Sequence, residues 1–342
     1  MRMRARIRLS SGGLLLYSVL LLLCPRGTML YRLLHHTQAL SPAEKGMGLM
    51  TLAMLLIPGM DAIGKLLASA LSPAQITLLR FAMQTLLLAG LMRNDRTGLA
   101  IGPVLGPLML SGLWIAASLT FLFWGLSHLP LANNTAIFFV EPLILMLMSA
   151  WFLREKVSRH QYGAVFVGLA GALIVIRPNW QVYGWVTLLP LLAATFYAAH
   201  MATLRHLSGQ ISGLAAQFWS GVFACLFLAL AMLLGEAAGI TQLEWRPHAL
   251  NQWPLLLMMG ILSALAFGLI NLAMRLAPAS LLAPFQYLEI ISATALGYLL
   301  FSDYPDAITW LGTAIILGSG LYLFLRERRI RKQLAEAGIE AR

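Results

Sequence analysis

Ten apolar runs divide the chain, at residues 46–70, 73–92, 103–127, 130–153, 161–176, 184–204, 211–235, 253–274, 279–301 and 307–325, with short connections between them. The hydrocarbon core of a bilayer takes about 20 consecutive apolar residues per helix, and few other settings accept so many runs of that length. Breakers open several of the connections: Ser72-Pro73, Leu129-Pro130, Ala277-Pro278 and Tyr304-Pro305. Composition then excludes the competing classes. Of 342 residues, 59% are hydrophobic and 11% charged, against about 45–50% and about 25% in a soluble domain. A soluble enzyme would need more surface charge, and a disordered chain far less leucine. A net charge of +11 would suit a nucleic-acid binder, but not beside this much apolar surface, so no nucleic-acid partner is expected. Cys24 and Cys225 are too few for a disulfide framework and match no metal spacing. The expected fold class is an all-α integral membrane protein with ten transmembrane helices and a short hydrophobic N-terminal extension.

The cations give the runs a direction. If odd-numbered runs cross from inside to outside, the inner connections and tail hold Arg93, Arg96, Arg154, Lys156, Arg159, Arg205, Arg275, Arg326, Arg328, Arg329, Arg331, Lys332 and Arg342. The outer connections hold only Arg177 and Arg246, beside Glu236, Glu244, Asp303 and Asp306. Cytoplasmic loops carry the excess of Lys and Arg, so both ends of the ten-helix core are expected in the cytoplasm, with the protein in the plasma (bacterial inner) membrane.

Residues 1–45 fit this scheme less well. Arg2, Arg4, Arg6 and Arg8 precede an apolar run, Leu14 to Cys24, that is short for a span and lacks a small-residue cleavage site after it. Three readings stay open: an extra short membrane segment, an interfacial anchor, or a start codon assigned too early, with Met29 or Met47 as later starts. The domain expectation is an extension over 1–45, five-helix units over 46–178 and 179–328, and a basic cytoplasmic tail over 329–342.

The two units correspond. A shift of 148 residues lays Gly112 on Gly260, Pro130 on Pro278, Glu141 on Glu289 and Glu155 on Asp303. A shift of 149 then lays Gly163 on Gly312, Gly171 on Gly320 and Arg177 on Arg326, and upstream a shift of 136 lays Gly48 on Gly184. Five helices is an odd number, so the second copy is expected upside down relative to the first, an arrangement typical of secondary transporters. The segment from Glu141-Pro142 through Leu153-Arg154-Glu155-Lys156, then Gln161-Tyr162-Gly163 and Gly168 to Gly171, resembles the end of an EamA repeat of the drug/metabolite transporter superfamily. The second copy departs from it, with Ile290 for Pro142 and Asp303 for Glu155. The resemblance implies two inverted five-helix repeats around a central cavity. Asp61-Ala62-Ile63-Gly64-Lys65, followed by Gln75 and Arg80, is similar to the branch containing S-adenosylmethionine and riboflavin carriers.

Ionisable residues at membrane depth narrow the site. Asp61, Lys65, Arg80, Glu141 and Glu289 lie inside apolar runs; unpaired, they would together cost roughly 12–17 kcal/mol on insertion scales, so they must face one another or water. Asp61 and Lys65 are four apart and could pair along one helix face. Arg80 is a candidate for holding a substrate carboxylate or phosphate, oriented by Asp61, and equally for an Asp61–Arg80 clamp between helices, with Lys65 snorkelling outward. Glu141 and Glu289 are candidates for proton coupling, since each could take up and release a proton; the alternative is a structural hydrogen bond to a neighbouring helix. Further substrate-binding candidates are Asn134, Tyr197, His200, Gln217, Trp219, Asn271, Gln286 and Tyr287. His200 is also a candidate bridge between helices, and the aromatics are candidate packing groups. Gly163, Gly168, Gly171, Gly312, Gly318 and Gly320 are expected to allow close helix contact.

These features point to a secondary active transporter that moves a small polar metabolite (an amino acid, vitamin or nucleoside-type compound) by alternating access with proton coupling. A passive facilitator or exchanger of the same fold is the alternative. A membrane-embedded enzyme is a weaker one, because the seven histidines show no HExxH or clustered spacing and no serine lies in a GxSxG elbow. No cofactor and no metal are expected. The partners are a small-molecule substrate and the bilayer; a homodimer stays open, since small-residue faces serve internal packing as well as dimers.

Overall fold

The computed structural model describes residues 41–92, 102–152, 159–247, 250–277 and 279–336. The expectations for residues 1–40, for Arg93, Arg96, Arg154, Glu155 and Lys156, and for the last six residues of the tail lie outside the described residues. Within them the chain folds into helices α1 (Pro42–Leu67), α2 (Pro73–Met92), α3 (Leu105–Leu126), α4 (Leu131–Phe138), α5 (Glu141–Phe152), α6 (Arg159–Tyr183), α7 (Leu189–Leu207), α8 (Gly213–Ala237), α9 (Trp253–Leu276), α10 (Ala279–Gln286), α11 (Leu288–Phe301) and α12 (Ala307–Glu336). Among the described residues, eight helical stretches are long and apolar enough to cross a membrane. Large apolar side chains point outward along them, with Phe166 70%, Leu233 69% and Leu311 57% exposed. Water would penalise such a surface and a bilayer would not.

Local signals explain the helix ends. Ser41 caps α1 in a capping box with Glu44: the Glu44 amide donates to Ser41 Oγ at 3.3 Å and the Ser41 amide to Glu44 Oε2 at 2.7 Å. With Pro42 in the first turn, this starts the helix four residues before the apolar run. At the other end α12 continues past its apolar run to Glu336, because Arg, Glu, Lys, Gln, Leu and Ala all favour helix and no breaker intervenes.

Two expected spans differ from a single rod. The run 130–153 is divided into α4 and α5 at Phe139–Val140, and the run 279–301 into α10 and α11 at Tyr287. Pro142 explains the first break: it has no N–H to donate to the carbonyl of Phe138, and its ring crowds that carbonyl. In the second copy Ile290 stands at the matching position, and Pro284 inside α10 disturbs the helix from upstream instead. The Phe139 and Tyr287 rings meet across the two breaks, with centroids 6.2 Å apart.

The two halves of the chain are interleaved. α1 packs along α9, while α7 packs along α3; α6 lies against α12, and α2 against α8. Trp114 and Phe121 of α3 both stack on Phe196 of α7, at 5.7 and 5.6 Å between centroids. Gly112 lets α3 approach Phe223 and Ser220 of α8, and its counterpart Gly260 lets α9 approach Met83 of α2. Gln75 of α2 fastens the segment after α8: its Nε2 donates to the Arg246 carbonyl at 2.8 Å, and the Arg246 amide donates to its Oε1 at 3.2 Å.

The glycines of α6 and α12 behave in two ways. A Cβ at Gly171 would meet the Gly312 carbonyl, and one at Gly312 would meet the Gly171 carbonyl, so these backbones touch. Gly168 likewise has Leu143 and Ser319 against it. Gly163 and Gly318, expected to serve close contact, instead have nothing within 4 Å of where a Cβ would stand. The two helices are tight at Gly171 and Gly312 and part toward Arg159 and Tyr322.

Candidate functional site

The half-helices bring acids into the interior. Glu141 is the first residue of α5 and Glu289 the second of α11, so each carboxyl stands in the first turn of a helix that begins inside the bundle. Peptide dipoles give such a helix start a partial positive charge that favours an acid. Asp61, near the end of α1, is 6% exposed, and Arg80 reaches in from α2.

These groups form one cluster. Arg80 interacts electrostatically with Asp61 and Tyr197, Glu289 with Asp61 and Glu141, and Tyr197 with both glutamates. The Arg80 Nε donates to Ser263 Oγ of α9 at 2.9 Å and approaches the Met60 sulfur at 3.1 Å. The Ser263 hydroxyl donates in turn to the Met60 sulfur at 2.8 Å. Tyr197 of α7 stands edge-on to Phe138, the last residue of α4, with centroids 5.4 Å apart. Asp61 Oδ1, Arg80 Nη1 and Glu141 Oε1 are buried and have no hydrogen-bond partner. Buried polar atoms are nearly always satisfied, so these three are the groups of the cluster with bonding capacity to spare.

The cluster contains part of the sequence expectation and adds to it. Asp61, Arg80, Tyr197, Glu141 and Glu289 come together. Ser263, Met60 and Phe138 were missed, because a lone serine, methionine or phenylalanine in an apolar helix carries no signal above packing. Asp61 and Arg80 share no direct hydrogen bond, so the expected clamp is a charge interaction with both tips left open. Lys65 does not pair with Asp61 along its own helix. Its ammonium forms a salt bridge with Asp303, donates to the Leu129 carbonyl at 3.1 Å and lies 4.6 Å above the centre of the Phe301 ring. The chain leaves α11 through Ser302 in the left-handed conformation (φ 57°), and this turn is what sets Asp303 beside α1.

The remaining candidates have other surroundings. His200 of α7 is buried and holds three helices together: its Nδ1 bonds Ser111 Oγ of α3 at 2.8 Å, and that hydroxyl bonds Ser220 Oγ of α8 at 2.8 Å. Asn134 is fully buried, with Nδ2 donating to the Leu122 carbonyl at 3.5 Å and Oδ1 against Gly125, so it joins α4 to α3. Trp219 packs among Phe218 and Phe223. Gln217 and Asn271 line a separate cavity of about 240 Å³ near the α7–α8 turn. Gln286 is exposed, and the Tyr287 hydroxyl abuts Gly320. Among the described residues, no group of three or more His, Cys, Asp or Glu is placed to hold a metal ion.

Comparison with known proteins agrees with this architecture. The model of the EamA-like transporter family matches the chain twice, over residues 44–177 and 184–325. The pseudopaline exporter CntI of Pseudomonas aeruginosa is 30% identical over 280 residues, covering 80% of this chain and 94% of the exporter. A riboflavin transporter of Vibrio cholerae is 29% identical over 219 residues, 63% of this chain and 70% of that one. An S-adenosylmethionine uptake transporter of Rickettsia bellii is 24% identical over 293 residues, 85% of this chain and 97% of that one. A crystal structure of a protein 20% identical superposes with a TM-score of 0.57 over 82% of this chain and 97% of the other, a likeness of fold. A helical bundle with a lipid-facing surface, interior charge and two matches to one transporter repeat is an integral membrane transporter, and the chain belongs to the EamA-like transporter family of the drug/metabolite transporter superfamily.

Proposed function

We propose that this transporter is a secondary active carrier that moves a small polar metabolite across the inner membrane by alternating access, with proton coupling. Its ten membrane-crossing segments would form two inverted five-helix repeats, α4–α5 and α10–α11 each counting as one broken crossing. The pattern of helix contacts supports the inversion. Exchanging the repeats turns the α1–α9 seam into the α7–α3 seam and maps the α6–α12 and α2–α8 seams onto themselves. The matched residues Phe139 and Tyr287 touch, as equivalent groups do at a two-fold axis.

The interior cluster carries the reading. Fully ionised, one guanidinium against three carboxylates leaves Asp61, Arg80, Glu141 and Glu289 with a net charge of −2. Arg80 Nη1, without a partner, suits a substrate carboxylate or phosphate. The surplus negative charge suits a substrate cation or protons on Glu141 and Glu289. An amphoteric substrate fits the first case and an anionic one the second, and Tyr197 and Phe138 offer either of them ring faces and edges. Compounds named in the relatives (riboflavin, S-adenosylmethionine and pseudopaline) belong first on the list to test, with amino acids and nucleosides. The excess of cations at the ends of α7 and α9 and in α12 supports a cytoplasmic location for that face.

A thermal-shift screen of the purified protein identifies the substrate, because a ligand that binds only the folded state raises its melting temperature. Counterflow in proteoliposomes then tests the site: Arg80→Ala and Glu141→Gln each abolish exchange while the protein remains folded. Exchange that survives both changes overturns the assignment.

A further inference from the structure

One cavity lies away from the interior cluster. It is a cleft of about 740 Å³ between the N-terminal part of α6 and the C-terminal part of α12. Gly163 and Gly318 line its walls with no Cβ and nothing within 4 Å in their place. Ser319 also faces it, its hydroxyl proton already donated to the Ile316 carbonyl at 2.7 Å. At the mouth stand two exposed basic side chains, Arg159 and His160, with Tyr322 across from them. Beside the cleft the outward face of α6 is apolar, with Phe166 70% and Val167 53% exposed, so the cleft opens sideways onto hydrocarbon.

Such a space has one natural occupant. Water needs two to four polar partners to stay in a cavity, and the stretch of wall at Gly163, Ala164, Val167, Ile315 and Gly318 has no polar side chain to supply them. A lipid chain needs none. A basic mouth above an apolar cleft between helices matches an amphiphile with a negative head. We infer that the cleft between α6 and α12 is a binding site for an anionic phospholipid, one acyl chain lying along Gly163 and Gly318 and the phosphate at Arg159 and His160. The two glycines thus keep a space open, in contrast to Gly171 and Gly312, which close one. This site is separate from the interior cluster and does not depend on what the transporter carries.

The open space at the glycines supplies the test, because larger side chains can fill the cleft without displacing a neighbour. The full-length protein, purified in mild detergent, is titrated with dioleoylphosphatidylglycerol or dioleoylphosphatidylcholine and examined by native mass spectrometry. Wild-type protein is expected to retain one phosphatidylglycerol in preference to phosphatidylcholine. Gly163→Leu and Gly318→Leu are expected to lose the bound lipid, while Gly48→Leu, on an exposed face with nothing within 4 Å, is expected to keep it. Arg159→Gln is expected to lower the preference for phosphatidylglycerol by about fivefold while leaving phosphatidylcholine binding unchanged. Unchanged melting temperatures in the leucine variants show that folding is intact. Equal retention of both lipids, retention that ignores the leucine substitutions, or a dimer that the leucine substitutions dissociate without any lipid adduct overturns the inference.

Discussion

Phe139 and Tyr287 stand ring to ring at the two points where the helical path is interrupted, with centroids 6.2 Å apart. Each precedes by two residues the glutamate that begins the next half-helix, Glu141 or Glu289. The two interruptions therefore touch through this contact. A double-mutant cycle of Phe139→Ala and Tyr287→Ala, read by unfolding in detergent, is expected to give a coupling of about 1 kcal/mol. Additive losses would show that the breaks are independent.

Glu141 and Glu289 share one cluster and, in the proposed mechanism, the proton. With a substrate identified, uptake by the wild-type protein is expected to respond to an imposed pH gradient. Glu141→Gln is expected to bind substrate yet lose that response. A gradient response that is absent from the wild type, or retained by both Glu141→Gln and Glu289→Gln, removes the proton from the mechanism.

Lys65 and Asp303 join the two halves of the chain at one end of the bundle. Alternating access by rocking of the halves would separate this pair in each cycle. In a background with Cys24 and Cys225 replaced by serine, Lys65→Cys and Asp303→Cys joined by a short thiol-reactive cross-linker are expected to stop exchange. Each single variant treated alike is expected to keep it. Full exchange in the cross-linked protein would mean that this end stays shut throughout transport.

His200 separates a structural role from a binding one. Ser111→Ala removes the hydroxyl that links His200 Nδ1 to the Ser220 hydroxyl and leaves Nδ1 only the Ser111 carbonyl, at 3.1 Å, a loss of about 1–3 kcal/mol. A lowered melting temperature with unchanged substrate affinity is the expected result. A large loss of affinity at unchanged stability would return His200 to the substrate.

How much of this was legible in the sequence varies with the physical signal. The apolar runs could be read because a bilayer demands length and apolarity over whole helices. Asp61, Arg80, Glu141 and Glu289 stood out because a charge at membrane depth requires a partner or a purpose. The division at Tyr287 was hidden, since the proline that disturbs that helix is Pro284 and the matching position holds Ile290. Lys65 was read as a neighbour of Asp61 because helix spacing says nothing about Asp303, which is distant in the chain and near only through the turn at Ser302. Gly163 and Gly318 could not be told from Gly171 and Gly312, because a glycine pattern records where side chains are missing and not what fills the gap.

The exchange of seams between the halves has a consequence for how the protein is made. α1 finds a packing partner in α9, α2 in α8, α3 in α7 and α6 in α12, so a nascent chain that ends at residue 178 carries several unfinished faces in the membrane. Synthesis proceeds from the N-terminus, and those faces stay open until α7, α8, α9 and α12 arrive. Truncation after residue 178 therefore yields an incomplete membrane body, prone to the quality-control proteases of the bilayer, and coexpression of residues 179–342 as a separate chain is what would rescue it.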